Sequence, residues 1–412
     1  MTSATTRASG PPTAAEPDLT PAEVIARAEA LAPTLVDRQA ETEQRTYYAP
    51  DTHAAFAEAG FYRILGPRRY GGHEFGVETF LRVSQILARG CPSTAWMFCL
   101  GATHALPAAG LFGERAQAEL FAAGDFICPA TIVPSGSASR APDGSWVLNG
   151  TWRYCSGAPY ATHFLGHVLV PGAEGEAPAP MLFVAPRAEF RRLDDWGGQL
   201  GLKGSGSHSI VIENGRIPEH FALPGTHMSE VDTAQGTPGS RLHGNPEYGG
   251  GPLSFMLLEV ASLAVGMAQG ALDAYEELMR ARTTLLPPVV TRAEDPDYQF
   301  WYGEAAGLVA TAEAALHHAV QQWSRLCADG PGAFTREHDL RLATVCREVL
   351  RLCWSAVEGQ LFPTAGSSAV RGGERIERVW RDLSTLHSHA GVGVLLRSVT
   401  TRELARVRFG VA

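Results

Sequence analysis

Two histidines near the C-terminal end of the chain, His387 and His389, carry the side chain best suited to acid–base chemistry at neutral pH. An imidazole with the ordinary pKa of about 6.5 gives or takes a proton near pH 7. A His-x-His pair is also half of a metal site, but residues two apart on a helix face different sides. No carboxylate or histidine cluster stands beside this pair, so we predict no metal site. The competing interpretation of His389 is a helix-end histidine stabilised by the helix dipole.

Two turns rich in glycine and serine follow strand-like segments in the middle of the chain. The first runs from Trp152 through Ser156 to Gly157, where glycine permits close approach of the backbone to a ligand. The second, Lys203-Gly-Ser-Gly-Ser207, has the composition of an anion-binding nest. Glycine and serine are also frequent in ordinary turns, so both segments could have only a structural role. For the second segment the structural role is the stronger interpretation.

Several common catalytic motifs are absent from the sequence. None of its G-x-G pairs is followed by a third glycine at the dinucleotide-binding spacing. The only lysine, Lys203, follows leucine, which excludes a P-loop and disfavours a Schiff-base lysine. There is no G-x-S-x-G elbow and no H-E-x-x-H helix. Any nicotinamide chemistry must therefore take place on another protein.

Composition limits the class of protein further. The 412 residues are 45% hydrophobic and 19% charged, which is typical of a well-packed globular chain. A net charge of −9 argues against nucleic-acid binding through a basic surface. Seven scattered cysteines and an N-terminus without an apolar signal segment predict free thiols in the cytoplasm. Residues 90–113 lack charge, but their prolines and polar side chains favour a buried helix over a membrane span.

The secondary structure that the sequence pattern predicts changes twice along the chain, from helix to strand and back to helix. We predict a disordered tail over residues 1–17, a helical domain over 18–127, a β-domain over 128–238 and a helical domain over 239–412. A hairpin is expected at 146–154, with Asn149-Gly150 as its turn. Four long helices are expected near 253–283, 296–328, 335–363 and 373–409. The first of these has a broad apolar surface over 253–270, with small residues at Ala261, Ala264 and Gly266.

A set of motifs spread over nearly the whole chain resembles two-component flavin-dependent monooxygenases of the acyl-CoA dehydrogenase fold, the group D flavin monooxygenases. The order and spacing of the motifs carry the resemblance, since each alone is weak. They are Tyr70-Gly71-Gly72, Pro92-Ser93-Thr94-Ala95-Trp96, Pro134-Ser135-Gly136-Ser137-Ala138, the segment 143–157, Gly201-Leu202-Lys203-Gly204-Ser205-Gly206-Ser207, and Trp380-Arg381-Asp382 with His389 seven residues later. The resemblance implies an α+β fold with an N-terminal helical domain, a central antiparallel β-barrel and a C-terminal four-helix bundle.

The same resemblance implies which residues form the active site. His389, with His387 as its competitor, would lie over the flavin together with Ser156 as the second catalytic residue. The residues implied to bind the cofactor are Trp152, Ser156, Gly157, Thr131, Ser137 (or Ser135), Arg282, Ser367 and Ser368. Of these, Ser367 and Ser368 would contact the flavin phosphate of a neighbouring subunit, and Arg282 would pair with a phosphate, although surface solvation explains this arginine equally well. Trp96 and His104 are expected to line the substrate pocket.

The implied reaction is the oxygenation of a small aromatic, polyketide-like or amino-sugar substrate through a flavin C4a-hydroperoxide. The expected cofactors are O2 and reduced flavin, FMNH2 or FADH2, supplied by a separate reductase. A homotetramer packed through 253–270 is expected, without nucleic-acid or membrane partners. The alternative is acyl-CoA oxidation, which requires a carboxylate base; residues 359–368 offer none, and Glu358 is a poorly placed substitute. A non-catalytic scaffold is disfavoured because it gives the β-domain no reason to carry the Trp152–Gly157 segment.

Overall fold

The computed structural model describes residues 18–172, 177–389 and 391–411, so the predicted tail at 1–17 lies outside the described residues. Its helices are mostly concentrated in the two terminal regions, and its strands lie between them. The helices are α1 Pro21–Asp37, α2 Gln39–Arg45, α3 Pro50–Glu58, α4 Gly76–Gly90, α5 Pro92–Ala102, α6 Ala105–Leu111, α7 Glu114–Leu120, α8 Pro238–His243, α9 Pro252–Ala281, α10 Pro296–Ala328, α11 Arg336–Ala356, α12 Phe362–Thr364, α13 Arg375–Ser388 and α14 Thr400–Phe409. The strands are β1 Ser137–Arg140, β2 Trp146–Trp152, β3 His163–Val170, β4 Ala179–Pro186, β5 Arg191–Arg192, β6 Ile210–Ile217 and β7 Ala222–Pro224.

The N-terminal helices form where capping and apolar spacing predict them. Thr20 and Glu23 make the reciprocal capping box that begins α1. The uncharged stretch folds into α5 and α6, both almost wholly buried, because apolar and small residues cover every face of these helices. Among the described residues one helix, α9, has the length and hydropathy of a membrane span, but 83% of that window is buried in the protein, as in a core helix.

The strands pair in an antiparallel arrangement as expected, and they form two sheets in the orders β1-β2-β6-β5 and β3-β4-β7. The pairings of the described strands do not join these sheets into one closed barrel. The predicted hairpin at Asn149-Gly150 is wrong, because both residues lie inside the continuous strand β2. A bulge between Leu148 and Gly150 absorbs the asparagine, whose side chain accepts the Asn214 N–H at 2.7 Å.

Helix α9 is the centre of the C-terminal region and contacts α4, α10, α11 and α13. Its small residues face α4 in the same chain: a side chain at Gly266 would meet the Gln85 carbonyl oxygen at 2.2 Å. Ser262 also donates a hydrogen bond to the Leu81 carbonyl at 3.2 Å. The expectation that 253–270 packs against another subunit is therefore wrong, since this apolar surface is covered within the chain.

The fourth predicted C-terminal helix, 373–409, is broken. Helix α13 ends at Ser388, and His389 adopts an extended backbone conformation at its C-terminal cap. A π-helical segment, Gly391–Val399, then leads into α14. A π-helix is uncommon and is frequently associated with functional sites. The break places His389 at a helix end and outside any regular element.

Candidate active site

Helix α5 and the turn after β2 form the centre of the site. The Trp96 indole N–H donates a hydrogen bond to the Ser156 hydroxyl at 2.9 Å, and both side chains are buried. Gly157, at φ 99°, needs the left-handed backbone that glycine adopts freely. A side chain at Gly157 would meet the Gly101 Cα at 3.0 Å. Glycine at both positions therefore lets the turn lie directly on α5.

A row of three serine hydroxyls extends from this turn. The Ser156 and Ser207 oxygens are 2.7 Å apart, and the Ser207 and Ser205 oxygens are also 2.7 Å apart. Sequence reasoning interpreted the Lys203–Ser207 segment through its backbone and missed these hydroxyls. The backbone N–H groups of Gly204 and Gly206 are already bound to Ser93 and Thr46, which supports the structural interpretation of the loop.

His389 lies against the other side of Trp96. The two rings meet edge to face, with centroids 5.4 Å apart. The Gly391 backbone N–H donates to Nδ1 of His389 at 3.2 Å, so the proton of the neutral imidazole is on Nε2. The ring is open to solvent on one side, but the surrounding protein desolvates it and lowers its pKa. His389 is therefore a neutral hydrogen-bond donor at pH 7.

His387 occupies a different environment from His389. Its ring stacks on Trp354 of α11, with centroids 4.8 Å apart and planes 14° from parallel. The structure therefore groups His389, and not His387, with Trp96 and Ser156.

A buried carboxyl group, Asp382, joins α13 to the rest of the site. It accepts hydrogen bonds from the Leu202 N–H at 2.5 Å and from the Ser93 hydroxyl at 3.2 Å. Burial raises the pKa of Asp382 to about 7. Asp382 thus anchors α13, the helix that ends immediately before His389, to the segments that carry Ser93 and Leu202.

His104 lies near the C-terminal end of α5 and lines a narrow cavity, none of whose lining residues is Trp96, Ser156 or His389, so its place in the substrate pocket stays a prediction. Its Nδ1–H donates to the Cys128 carbonyl at 2.7 Å, and burial lowers its pKa to about 4, so the ring is neutral. Trp96, the other residue predicted for the substrate pocket, is buried between Ser156 and His389.

The remaining residues predicted near the flavin ring lie in the β-domain. The Thr131 hydroxyl oxygen is buried and has no hydrogen-bond partner. Ser137 is exposed at the start of β1, and the Ser135 hydroxyl is bound to the Thr151 carbonyl at 2.8 Å. Trp152 is enclosed by Phe164 and Phe183. Its indole N–H donates to a backbone carbonyl at 3.0 Å. This packing does not favour contact between the Trp152 ring and the flavin, and that contact stays a prediction.

The residues predicted to hold the flavin phosphate meet at a second location. Arg282, just after α9, donates to the Ser368 hydroxyl, and Ser367 is exposed next to it. Sequence reasoning missed Arg292, which binds the Ala365 carbonyl at 2.8 Å and has a buried Nε without a partner. Two guanidinium groups therefore flank the turn 364–368.

The described residues fit a flavin. The unpartnered Thr131 hydroxyl oxygen can bond to a ring heteroatom. Because Ser207 can donate to Ser156, the Ser156 O–H can turn toward a ligand without losing the Trp96 bond. Arg282 and Arg292 supply the positive charge that a phosphate needs.

Comparison with known proteins assigns the family. The models "Acyl-CoA dehydrogenase, N-terminal domain" and "Acyl-CoA dehydrogenase, C-terminal domain" match residues 23–123 and 258–393. The oxygenase subunit HsaA, a flavin-dependent monooxygenase of Rhodococcus jostii (strain RHA1), is 28% identical over 369 residues, which is 88% of this chain and 93% of the relative. The two models together span more than half of the chain, so this chain belongs to the acyl-CoA dehydrogenase family, and within it the chain is similar to oxygenase subunits of flavin-dependent monooxygenases.

Two further members of this family are similar over most of their length. The oxygenase component of the FADH2-dependent resorcinol hydroxylase of Rhizobium sp. (strain MTP-10005) is 28% identical, with 85% of this chain and 86% of the relative covered. The crystal structure of 3-HSA hydroxylase from Rhodococcus sp. RHA1 superposes with a TM-score of 0.84 at 26% identity. That match covers 95% of this chain and 97% of the other.

Proposed function

We propose that this chain is the oxygenase component of a two-component monooxygenase that hydroxylates a small aromatic substrate with reduced flavin and O2. One observation in the structure supports this proposal at the level of individual residues. Trp96 joins Ser156, through a 2.9 Å hydrogen bond, to His389, through an edge contact at 5.4 Å. A hydroxyl that can donate to the flavin ring and a neutral imidazole thus lie on either side of one indole ring, as the resemblance to the monooxygenases implies.

Each residue of this group has a separate task. Ser156 accepts the Trp96 N–H and directs its own O–H toward the flavin. His389 donates its Nε2–H to the phenol oxygen of the substrate, because Nδ1 is already bound to Gly391. General-base catalysis at Nε2 would first require the Gly391 bond to break. Thr131 is proposed to bond to the flavin ring, and Arg282 with Ser367 and Ser368 to bind the flavin phosphate of a neighbouring subunit.

The bound reduced flavin supplies the electrons and the site at which O2 is activated. Trp96 and Ser156 are both almost fully buried, so this side of the site is shielded from water. The missing dinucleotide-binding motif supports a separate reductase as the source of reduced flavin.

Acyl-CoA oxidation is not favoured by the carboxylates of the C-terminal region. The substitute base, Glu358, lies in the π-helical segment Val357–Leu361 and accepts the indole N–H of Trp380. A carboxylate held by this bond is poorly placed to take a proton from an acyl thioester.

The test is an anaerobic titration of the protein with reduced and with oxidised flavin, followed by exposure to O2 with a panel of phenols. We expect reduced flavin to bind more tightly and at least one phenol to give a hydroxylated product. Ser156→Ala should weaken binding of reduced flavin by about tenfold, the worth of one hydrogen bond, and Ser205→Ala should do much less. Equal affinity for both flavin forms, together with flavin reduction by an acyl-CoA, would instead establish the dehydrogenase.

We also propose a homo-oligomer, expected to be a tetramer, in which a surface other than 253–270 forms the contact. Leu285, Leu286 and Phe300 are 93, 74 and 61% exposed, and Phe409 of α14 is 79% exposed. Exposed apolar residues of this size are typical of subunit interfaces. Leu285→Asp combined with Leu286→Asp should reduce the mass measured by light scattering, while Leu169→Asp in β3 should not. A native chain that is monomeric at micromolar concentration would contradict the proposal.

A further inference from the structure

Helix α9 carries a carboxyl group inside the protein, Glu259, whose side chain is 2% exposed. Its Oε1 is buried and has no hydrogen-bond partner. The buried Thr103 hydroxyl lies beside Glu259, close enough to lower its pKa, although no hydrogen bond of normal geometry joins the two side chains. Buried polar atoms in native proteins are nearly always satisfied by protein, water or ligand. The unpartnered Oε1 therefore leaves Glu259 able to form a hydrogen bond with a bound group.

Glu259 lines the same narrow cavity as His104. The other lining residues include Met228, Tyr248, Phe255 and Met256, and no Arg or Lys is among them. A second carboxylate on the wall, Glu247, is already bound by the Val77 N–H and the Ser324 hydroxyl, each at 2.8 Å. The cavity is therefore apolar with an acidic end, and it offers no cation to an anionic ligand.

The titratable groups around Glu259 leave it protonated. Burial raises the pKa of Glu259 well above its ordinary value, and the nearby Thr103 hydroxyl offsets part of this rise. Burial also raises the pKa of the Cys99 thiol on α5, while it lowers the pKa of His104, so both neighbours are neutral at pH 7. Without a cationic neighbour to stabilise a carboxylate, Glu259 has an O–H to donate.

The cavity and the catalytic group share helix α5. Gly101 of this helix packs on Gly157, and its carbonyl accepts the Cys128 N–H at 2.7 Å. The Cys128 carbonyl in turn accepts the His104 N–H at 2.7 Å. His104 follows α5 and lines the cavity that Glu259 also lines, so a substrate would have to extend along α5 beyond Trp96 to reach Glu259.

We propose that Glu259 is a specificity-determining residue that donates a hydrogen bond to an acceptor oxygen at the far end of an uncharged aromatic substrate. This proposal rests on the proposed function. It assigns the substrate to phenols that carry a carbonyl, ether or second hydroxyl group. Aromatic carboxylates are rejected because the cavity offers them a second acid and no cation.

The test uses a nearly isosteric pair of probes, 4-hydroxyacetophenone and 4-hydroxybenzoate, which differ in charge at one end. Binding to the native protein, measured by calorimetry without O2, should favour the neutral probe by at least tenfold. Glu259→Gln keeps a donor of the same shape, so its affinity for the neutral probe should stay within a few-fold. Glu259→Met removes the donor, so its affinity for the neutral probe should fall by roughly tenfold, the usual contribution of one hydrogen bond.

Infrared difference spectra supply a readout independent of turnover. The native protein minus Glu259→Gln should show the carbonyl stretch of a protonated carboxylic acid at pH 7, and the neutral probe should shift it. A missing band, a band that neither probe moves, or equal affinity for both probes overturns the proposal, even if a phenol is hydroxylated. A band shifted only by the neutral probe supports it, even if no phenol is hydroxylated. If the carbonyl band already has, before any probe is added, the frequency expected with the neutral probe bound, then Glu259 is hydrogen-bonded to an ordered water instead.

Discussion

Replacing His389 with alanine should lower the rate of product formation by roughly 10²–10⁴-fold, the usual range for one acid–base group. Flavin binding should stay nearly unchanged, because Ser156 keeps its Trp96 bond in this variant. Oxygen consumption should continue, with H2O2 released in place of product. Product by chromatography, H2O2 by a peroxidase assay and O2 by electrode measure the three quantities in one reaction.

The matched control is His387→Ala, which removes a ring that stacks on Trp354 away from Trp96. It should change the ratio of product to H2O2 only slightly. His389→Gln retains a side-chain N–H and should recover part of the lost product if donation is the role of His389. Equal effects of the two alanine variants, or uncoupling by His387→Ala alone, would show that the wrong histidine has been assigned.

The pH dependence of the same reaction follows from the environment of His389. The pKa of His389 lies below the ordinary value of about 6.5, so the imidazole is predominantly neutral at pH 7 and above. The ratio of product to H2O2 should therefore stay nearly constant from pH 8 to pH 7, and any change should be centred below pH 6.5. A change centred above pH 6.5 that disappears in His389→Gln would contradict the assigned protonation state.

The sequence predicted the succession of helical and strand regions because apolar spacing and capping are local signals. The Thr20 capping box and the start of α10 at Pro296 lie where those signals place them. The Asn149-Gly150 prediction failed because a bulge in a long strand and a hairpin turn have the same local composition. Only the pairing partner β6, about 60 residues away in sequence, decides between them.

The break before His389 was also not predictable from apolar periodicity. The amphipathic pattern of α13 continues beyond Ser388, so a single helix to residue 409 was expected. Glycines at 391 and 393 were the available signal, since glycine weakens a helix by about 1 kcal/mol. The break makes the His389 Nδ1 available to the Gly391 N–H, and this bond determines which nitrogen carries the proton.

Contacts between distant segments explain the site residues that the sequence did not reveal. Ser207 lies 51 residues from Ser156, and their hydroxyl oxygens are 2.7 Å apart. Glu259 resembles any polar position of an amphipathic helix until the packing of α9 against the rest of the protein is known. Burial of a polar group is a property of the fold, and a single sequence does not encode it locally.

Replacing Asp382 with asparagine should change how the stability of the protein depends on pH. Burial raises the pKa of Asp382 to about 7 in the folded chain, whereas an unfolded aspartate titrates near 3.8. Between these values the unfolded chain releases the proton and the folded chain keeps it. The stability contributed by the protonated carboxyl is therefore complete below pH 4 and is lost as the pH rises through 7.

Asparagine keeps the shape of the protonated acid and still accepts the Leu202 N–H, but it does not titrate. The free energy of unfolding of Asp382→Asn, relative to the native chain, should therefore rise by roughly 2 to 3 kcal/mol from pH 5 to pH 8. Urea unfolding at the two pH values measures this difference, and the exposed Asp329→Asn variant should show no such change. If the free energies of unfolding of Asp382→Asn and of the native chain change with pH in the same way, then Asp382 is ionised throughout and its hydrogen bonds outweigh its burial.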